Sequence, residues 1–205
     1  DAAGYKEAIE HLGLGSNDFY RFLAQGTMKA AAQYGGEDFA CVLGQEMAGY
    51  ATGEVFFASQ ALGFRHSHLD SGGYSYDQKH TTERKVEEAV DFLVKDEQGR
   101  VLLTSMVACL FAREVYQDEL LADCLNSLGY TTLADNMQQV AQHIQKLRWR
   151  LRLASGFDPS AVKIPKRFTE VTNWKGPIDP KFLEELKQEY AKRIIELGKE
   201  ERTEK

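Results

Sequence analysis

An all-α, multihelical fold is predicted by three features of the 205-residue sequence. Apolar residues recur at spacings of three and four along several segments, the repeat of a helix with one buried face. Those segments begin near cap-forming side chains and stop at glycines. Strand-like patterning is confined to Val94 through Leu103, which reads equally as two short strands around a turn or as one helix ending and another beginning.

The first predicted helix spans Asn17 to Tyr34, opening at a cap supplied by Ser16 or Asn17 and stopping at Gly35-Gly36. A second covers Glu54 to Leu62, after Gly53 and before Gly63. Thr81 and Thr82 are cap candidates for a third, which carries Val86, Ala89, Val90 and Leu93 on one face. The clearest period belongs to Leu133, Met137, Val140, Ile144, Leu147 and Leu151. Thr132 with Asp135 resembles a capping box at its start, and Gly156 lies beyond its end. Gly156 to Ile178 holds three of the four prolines and reads as an extended connector. The closing helix takes Asp179 as cap and Pro180 in its first turn, where a missing N–H costs nothing. Phe182, Leu183, Leu186, Tyr190, Ile194 and Leu197 form its apolar face, and the tail beyond Gly198 is charged.

Composition narrows the function. A hydrophobic share of 43% with 27% charged residues is ordinary for a globular protein. No window approaches the roughly 18 uninterrupted apolar residues of a membrane span. A net charge of −6 argues against a broad nucleic-acid surface. The basic run Lys146 to Arg152 alternates cations with large apolar residues; on a helix this places the cations on solvated or partner-facing surfaces around an apolar seam. The opening Asp1-Ala2-Ala3-Gly4 is neither a signal nor a transit sequence and reads as a chain entered mid-sequence. Cys41, Cys109 and Cys124 lie far apart, with no CxxC pair. An odd number at such spacing argues against a disulfide framework and for a reducing cytoplasm.

Chemistry concentrates in one loop, Arg65 to Asp77, where His66 and His68 stand at i, i+2 with Asp70 and Asp77 nearby. Such a set suits a metal if the backbone is extended, or a proton donor near neutrality; its plain alternative is a polar surface loop. Cys109 sits in the apolar run Thr104 to Ala112, where a lone cysteine reads as a small buried hydrophobe, and Cys41 and Cys124 read the same way. There is no phosphate loop, dinucleotide fingerprint, HExxH or serine elbow.

Taken in order, several segments resemble the C-terminal half of the aldehyde ferredoxin oxidoreductase family. Phe22 to Ala31 with Gly35-Gly36 is similar to its "LAEGxxxAA…GG" stretch. Gly44 to Tyr50 is similar to "KGLELPAYDPRG", with Ala51 to Glu54 lacking the Pro and Arg. Arg65 to Leu69 falls where the family has "NRGxCHL", and Thr104 to Cys109 where it has "DSxGLC". Leu125-Asn126, the Leu133–Leu151 helix, Gly156-Phe157 and Ile164 to Phe168 follow in family order.

This resemblance implies the family's C-terminal helical domains, with residues 1–40 as the tail of the middle helical domain and 41–205 as the C-terminal one. It also implies a tungsten or molybdenum bis-pterin and a [4Fe–4S] cluster, with aldehydes oxidised to carboxylic acids and electrons passed to ferredoxin. By position, Cys109 matches the fourth cluster ligand, His68 the histidine near the metal, and Thr104 and Ala108 a segment that approaches a pterin. The family's Asp, Gly and Leu are replaced here by Thr104, Val107 and Ala108, while His66 and Asp70 also depart from the pattern. Such departures suit a divergent relative reducing aromatic acyl-CoA rings, or a cofactor-free helical binding module. The cluster's other three cysteines and the first pterin-binding domain are not in this sequence, so the chain alone is expected to be inactive and to lack stoichiometric iron and tungsten. The expected partners are ferredoxin and the missing N-terminal portion of the enzyme, with room for a homodimer and no role for nucleic acid or membrane.

Overall fold

The computed structural model describes residues 1–36, 52–80 and 85–199 in full and the backbone at 41–42 and 45–46. Among these residues the fold is all-α, as predicted, with strand limited to two antiparallel two-residue ladders.

The N-terminal segment is three helices, α1 (Ala2–Leu14), α2 (Asp18–Leu23) and α3 (Thr27–Tyr34). Helix α1 had no counterpart in the sequence pattern; it opens where the Asp1 carboxylate accepts the Ala3 N–H, and none of its residues is buried. The single helix expected from Asn17 to Tyr34 is split: Asn17 does cap α2 through the Tyr20 N–H, but Gly26 at φ 102° breaks the run. That left-handed backbone is open to glycine at little cost. Of α1 to α3 only Ala31 is buried.

The main body is built around α4 (Glu54–Leu62), every residue of which is buried, as a helix apolar on nearly all sides requires. It packs against α5 (Gly73–Lys79) and against the closing helix α10 (Pro180–Leu197). Helix α6 (Val86–Ser105) runs unbroken through Gly99, settling the ambiguous segment as helix. Its cap candidates Thr81 and Thr82 lie outside the described residues. Phe56, Phe57, Leu62, Leu93, Trp149, Leu186 and Ile194 make the principal core. A smaller one joins Leu102 and Leu103 of α6 to α7 (Asp118–Ser127), α8 (Thr131–Asp135) and α9 (Met137–Ala154) through Leu121, Leu125, Ala134, Met137 and Ala141.

Two further expectations need correction. The expected Leu133–Leu151 helix is broken at Asn136, so Thr132 and Asp135 lie within short α8 and form no cap. Helix α9 buries Met137, Ala141, Gln145 and Trp149, leaving Val140 and Leu151 exposed. The connector is as expected, carrying 3-10 turns at Pro159–Ala161 and Lys166–Thr169 and a ladder pairing Thr172–Asn173 with Gly176–Pro177. Helix α10 also starts as predicted, the Asp179 carboxylate accepting the Lys181 and Phe182 N–H groups.

Candidate functional site

The histidine loop follows α4, and it is not a solvated surface loop. His66, Asp70 and Ser71 are buried. Asp70 ties the loop to itself: one oxygen accepts the backbone N–H groups of Arg65 and Ser67 at 2.7 and 3.1 Å, the other the Arg65 Nε–H at 2.8 Å. His66 adopts a left-handed φ of 53°. Its Nδ1 lies 2.9 Å from the Ala61 carbonyl. A carbonyl only accepts, so Nδ1 carries the proton and Nε2 is left to accept from the Arg152 guanidinium. Burial, reinforced by the Arg152 charge, holds the His66 pKa below its ordinary value against the opposing pull of the Ala61 bond and Asp70.

The basic run of α9 therefore faces this loop and not solvent alone. Arg152 rests against the Phe157 ring at 4.5 Å, and Arg148 against Phe64 at 4.0 Å. Phe157 is brought there by the end of α9: its N–H reaches the Arg152 carbonyl and the Gly156 N–H the Leu153 carbonyl, the paired bonds of a Schellman stop.

From the other side α6 grips the loop's backbone. Asp96 accepts the Gly72 N–H at 2.7 Å and the Arg100 Nε–H at 2.6 Å, and Arg100 donates to the Leu69 carbonyl at 3.1 Å and the His68 carbonyl at 3.4 Å. His68 is partly buried. Burial, then the Arg100 charge, lower its pKa, so its imidazole is neutral at neutral pH. Asp77 is no neighbour in a metal set; it caps α4 by accepting the Phe56 N–H at 2.9 Å, and burial raises its pKa to about 6.

The segment holding Thr104, Ala108 and Cys109 is the C-terminus of the same helix. Met106 closes α6, the Val107 N–H bonds to the Thr104 carbonyl and the Ala108 N–H to the Leu103 carbonyl. This is a second Schellman stop, with Val107 at φ 57° where the resembling pattern has glycine. Ala108 packs on the smaller core, while Cys109 is exposed between exposed Val107 and Phe111. The reading of Cys109 and Cys124 as buried hydrophobes is overturned, since both thiols are exposed. The Cys41 side chain lies outside the described residues.

These positions differ in how well they suit the implied cofactors. No group of three His, Cys, Asp or Glu side chains able to hold a metal forms among the described residues. Cys109, a single accessible thiol on a fixed turn, fits the part of one cluster ligand. Thr104 fits a pterin amine edge poorly, because its hydroxyl donates to the Arg100 carbonyl at 2.7 Å and offers no second acceptor oxygen.

Sequence reasoning missed Glu97, Gln145, Arg148, Trp149 and Arg152 as parts of this region. Glu97 is buried, accepts from Gln145 Nε2 at 2.8 Å and Trp149 Nε1 at 3.0 Å, and is pushed up to about 7 by burial. A signal was present, since Glu97 interrupts the buried row Val90, Leu93, Val101.

A sequence model described as aldehyde ferredoxin oxidoreductase, domains 2 & 3, matches residues 1–193. The fold and this match define the chain as part of a family of oxidoreductases. It belongs to the aldehyde ferredoxin oxidoreductase family. Comparison with curated proteins and with solved structures gives no match. Among the described residues no helix is long and apolar enough to cross a membrane.

Proposed function

We propose that this chain forms the C-terminal helical part of a pterin-dependent oxidoreductase, with residues 1–40 ending the middle domain and 41–205 making the last. The observation that carries this reading is Cys109: an exposed thiol held on a defined turn, in a chain matching the family over residues 1–193. The tungsten or molybdenum bis-pterin, when bound, supplies the two-electron oxidation of an aldehyde to a carboxylic acid, and a [4Fe–4S] cluster passes the electrons to ferredoxin. The chain's own residues position and close the site. His68, neutral at neutral pH, has one N–H and one lone pair to orient a substrate or take up a proton. Cys109 contributes one thiolate, and Ala108 fixes its turn against the smaller core. A reducing compartment such as the cytoplasm suits exposed Cys109 and Cys124.

The Thr104 hydroxyl, already committed to its own helix, favours a second reading as a cofactor-free binding module. The Cys109→Ser variant of the complete protein separates the two. Loss of cluster absorption and of most bound iron, with helical content unchanged, is expected. Unaltered iron content in the variant would remove Cys109 from the ligand set.

A further inference from the structure

A cleft of about 260 Å³ lies between α6, the histidine loop and α9, with Arg65, Glu97, Arg100, Thr104 and Arg148 in its wall. In a chain of net charge −6, three guanidiniums converge there. Two have carboxylate partners, Arg65 with Asp70 at 2.8 Å and Arg100 with Asp96 at 2.6 Å. Arg148 has none: among the described residues it meets the Phe64 ring and no hydrogen-bond acceptor. Burial draws its pKa down; the Glu97 and Asp70 charges pull it back up without bonding it, and the neighbouring Arg65 charge lowers it further.

Among the described residues neither carboxylate of the cleft is hydrogen-bonded to Arg148. Both oxygens of Asp70 are taken up by its own loop. Glu97 turns one oxygen to Gln145 and Trp149, and its other oxygen is buried without a partner. Raised to about 7, Glu97 carries only part of its charge at neutrality. Donors therefore outnumber acceptors around a space below the size of ordinary small-molecule pockets, enough for a small anion or the end of a larger ligand. Guanidiniums reach the wall from the loop, α6 and α9, and such forks suit the oxygens of a phosphate.

We propose that this cleft binds a phosphate group, with Arg148 as its principal donor and Arg65 and Arg100 as flanking charges. The site stands on its own and does not depend on the roles given to Cys109 and His68.

Calorimetric titration of the 205-residue chain with inorganic phosphate, and separately with phenyl phosphate, tests it. One saturable site is expected for at least one of the two; stronger uptake of the ester marks a phosphomonoester ligand, and stronger uptake of phosphate the free ion. Arg148→Gln should weaken binding about tenfold or more, the loss of a charge-assisted pair of hydrogen bonds. Thr104→Asp, which adds an anion to the wall while leaving Arg148 in place, should also abolish uptake, so the test survives if the arginine variant misfolds. Absence of saturable binding of either probe, or equal binding in both variants, would overturn the proposal.

Discussion

At Val107 a β-branched side chain sits at φ 57° and is 93% exposed, so it gains nothing from packing that would offset its backbone. The left-handed conformation costs an L-residue roughly 1–2 kcal/mol, and glycine escapes that cost while giving back roughly 0.5–1 kcal/mol in unfolded-state entropy. Val107→Gly is expected to stabilise the chain by about 0.5–1 kcal/mol, read as a higher urea midpoint; a lower midpoint would contradict the assigned turn. Glu97 sets a pH dependence. Its carboxyl is raised from 4.5 to about 7 in the folded chain, so between those values the folded state holds more protons than the unfolded one. Stability from this group is complete below about 4.5 and declines through about pH 7, by up to about 1.4 kcal/mol per pH unit. Glu97→Gln keeps an acceptor for Gln145 and Trp149 but does not titrate. Its melting temperature should fall less between pH 5 and 7.5 than that of the parent chain; an unchanged fall would refute the buried carboxyl's role. Asp77, raised to about 6, leaves a residual slope at the lower end.

Among the elements, α4 and α5 approach closely at Gly73. A Cβ at Gly73 would lie 2.3 Å from Ser59 Oγ and 2.8 Å from the Val55 carbonyl oxygen, and the second of these is backbone that cannot swing aside. Gly73→Ala should therefore cost about 1–3 kcal/mol, seen as a lower denaturation midpoint at unchanged slope. A neutral variant would show that the crossing yields. Helices α4 and α10 were legible in the sequence because their signals are local: a glycine at each end of α4, Asp179-Pro180 at the start of α10, an apolar face along it. Helix α9 shows where that reading fails. Its leucine row suggested the buried face, yet Trp149 and Gln145 point inward, because Glu97 of α6 supplies their partner across 52 and 48 residues of sequence. The His66–Arg152 contact, spanning 86 residues, was out of reach of any periodicity argument.

For the whole molecule, much apolar surface has no cover among the described residues. Tyr5, Ile9 and Leu14 of α1 are exposed, as are Phe111, Leu128 and Leu151. Patches of this kind mark contact surfaces. The isolated chain is expected to self-associate with concentration in sedimentation, and the complete protein to do so less; a strictly monomeric chain at tens of micromolar would argue against further domains packing here. The class of fold and the order of its segments were readable from the start, whereas the cleft was not, since its wall is drawn from three elements far apart in sequence. Helix α6 has one further consequence. Arg100 fastens the backbone of His68, and the helix ends at Ser105, about 8 Å further along at 1.5 Å per residue, just before Cys109. One helix thus carries both the grip on the His68 backbone and the turn that leads to Cys109. Inserting or deleting a single residue between Arg100 and Ser105 would turn the segment leading to Cys109 by about 100° around the helix axis relative to the His68 backbone that Arg100 holds.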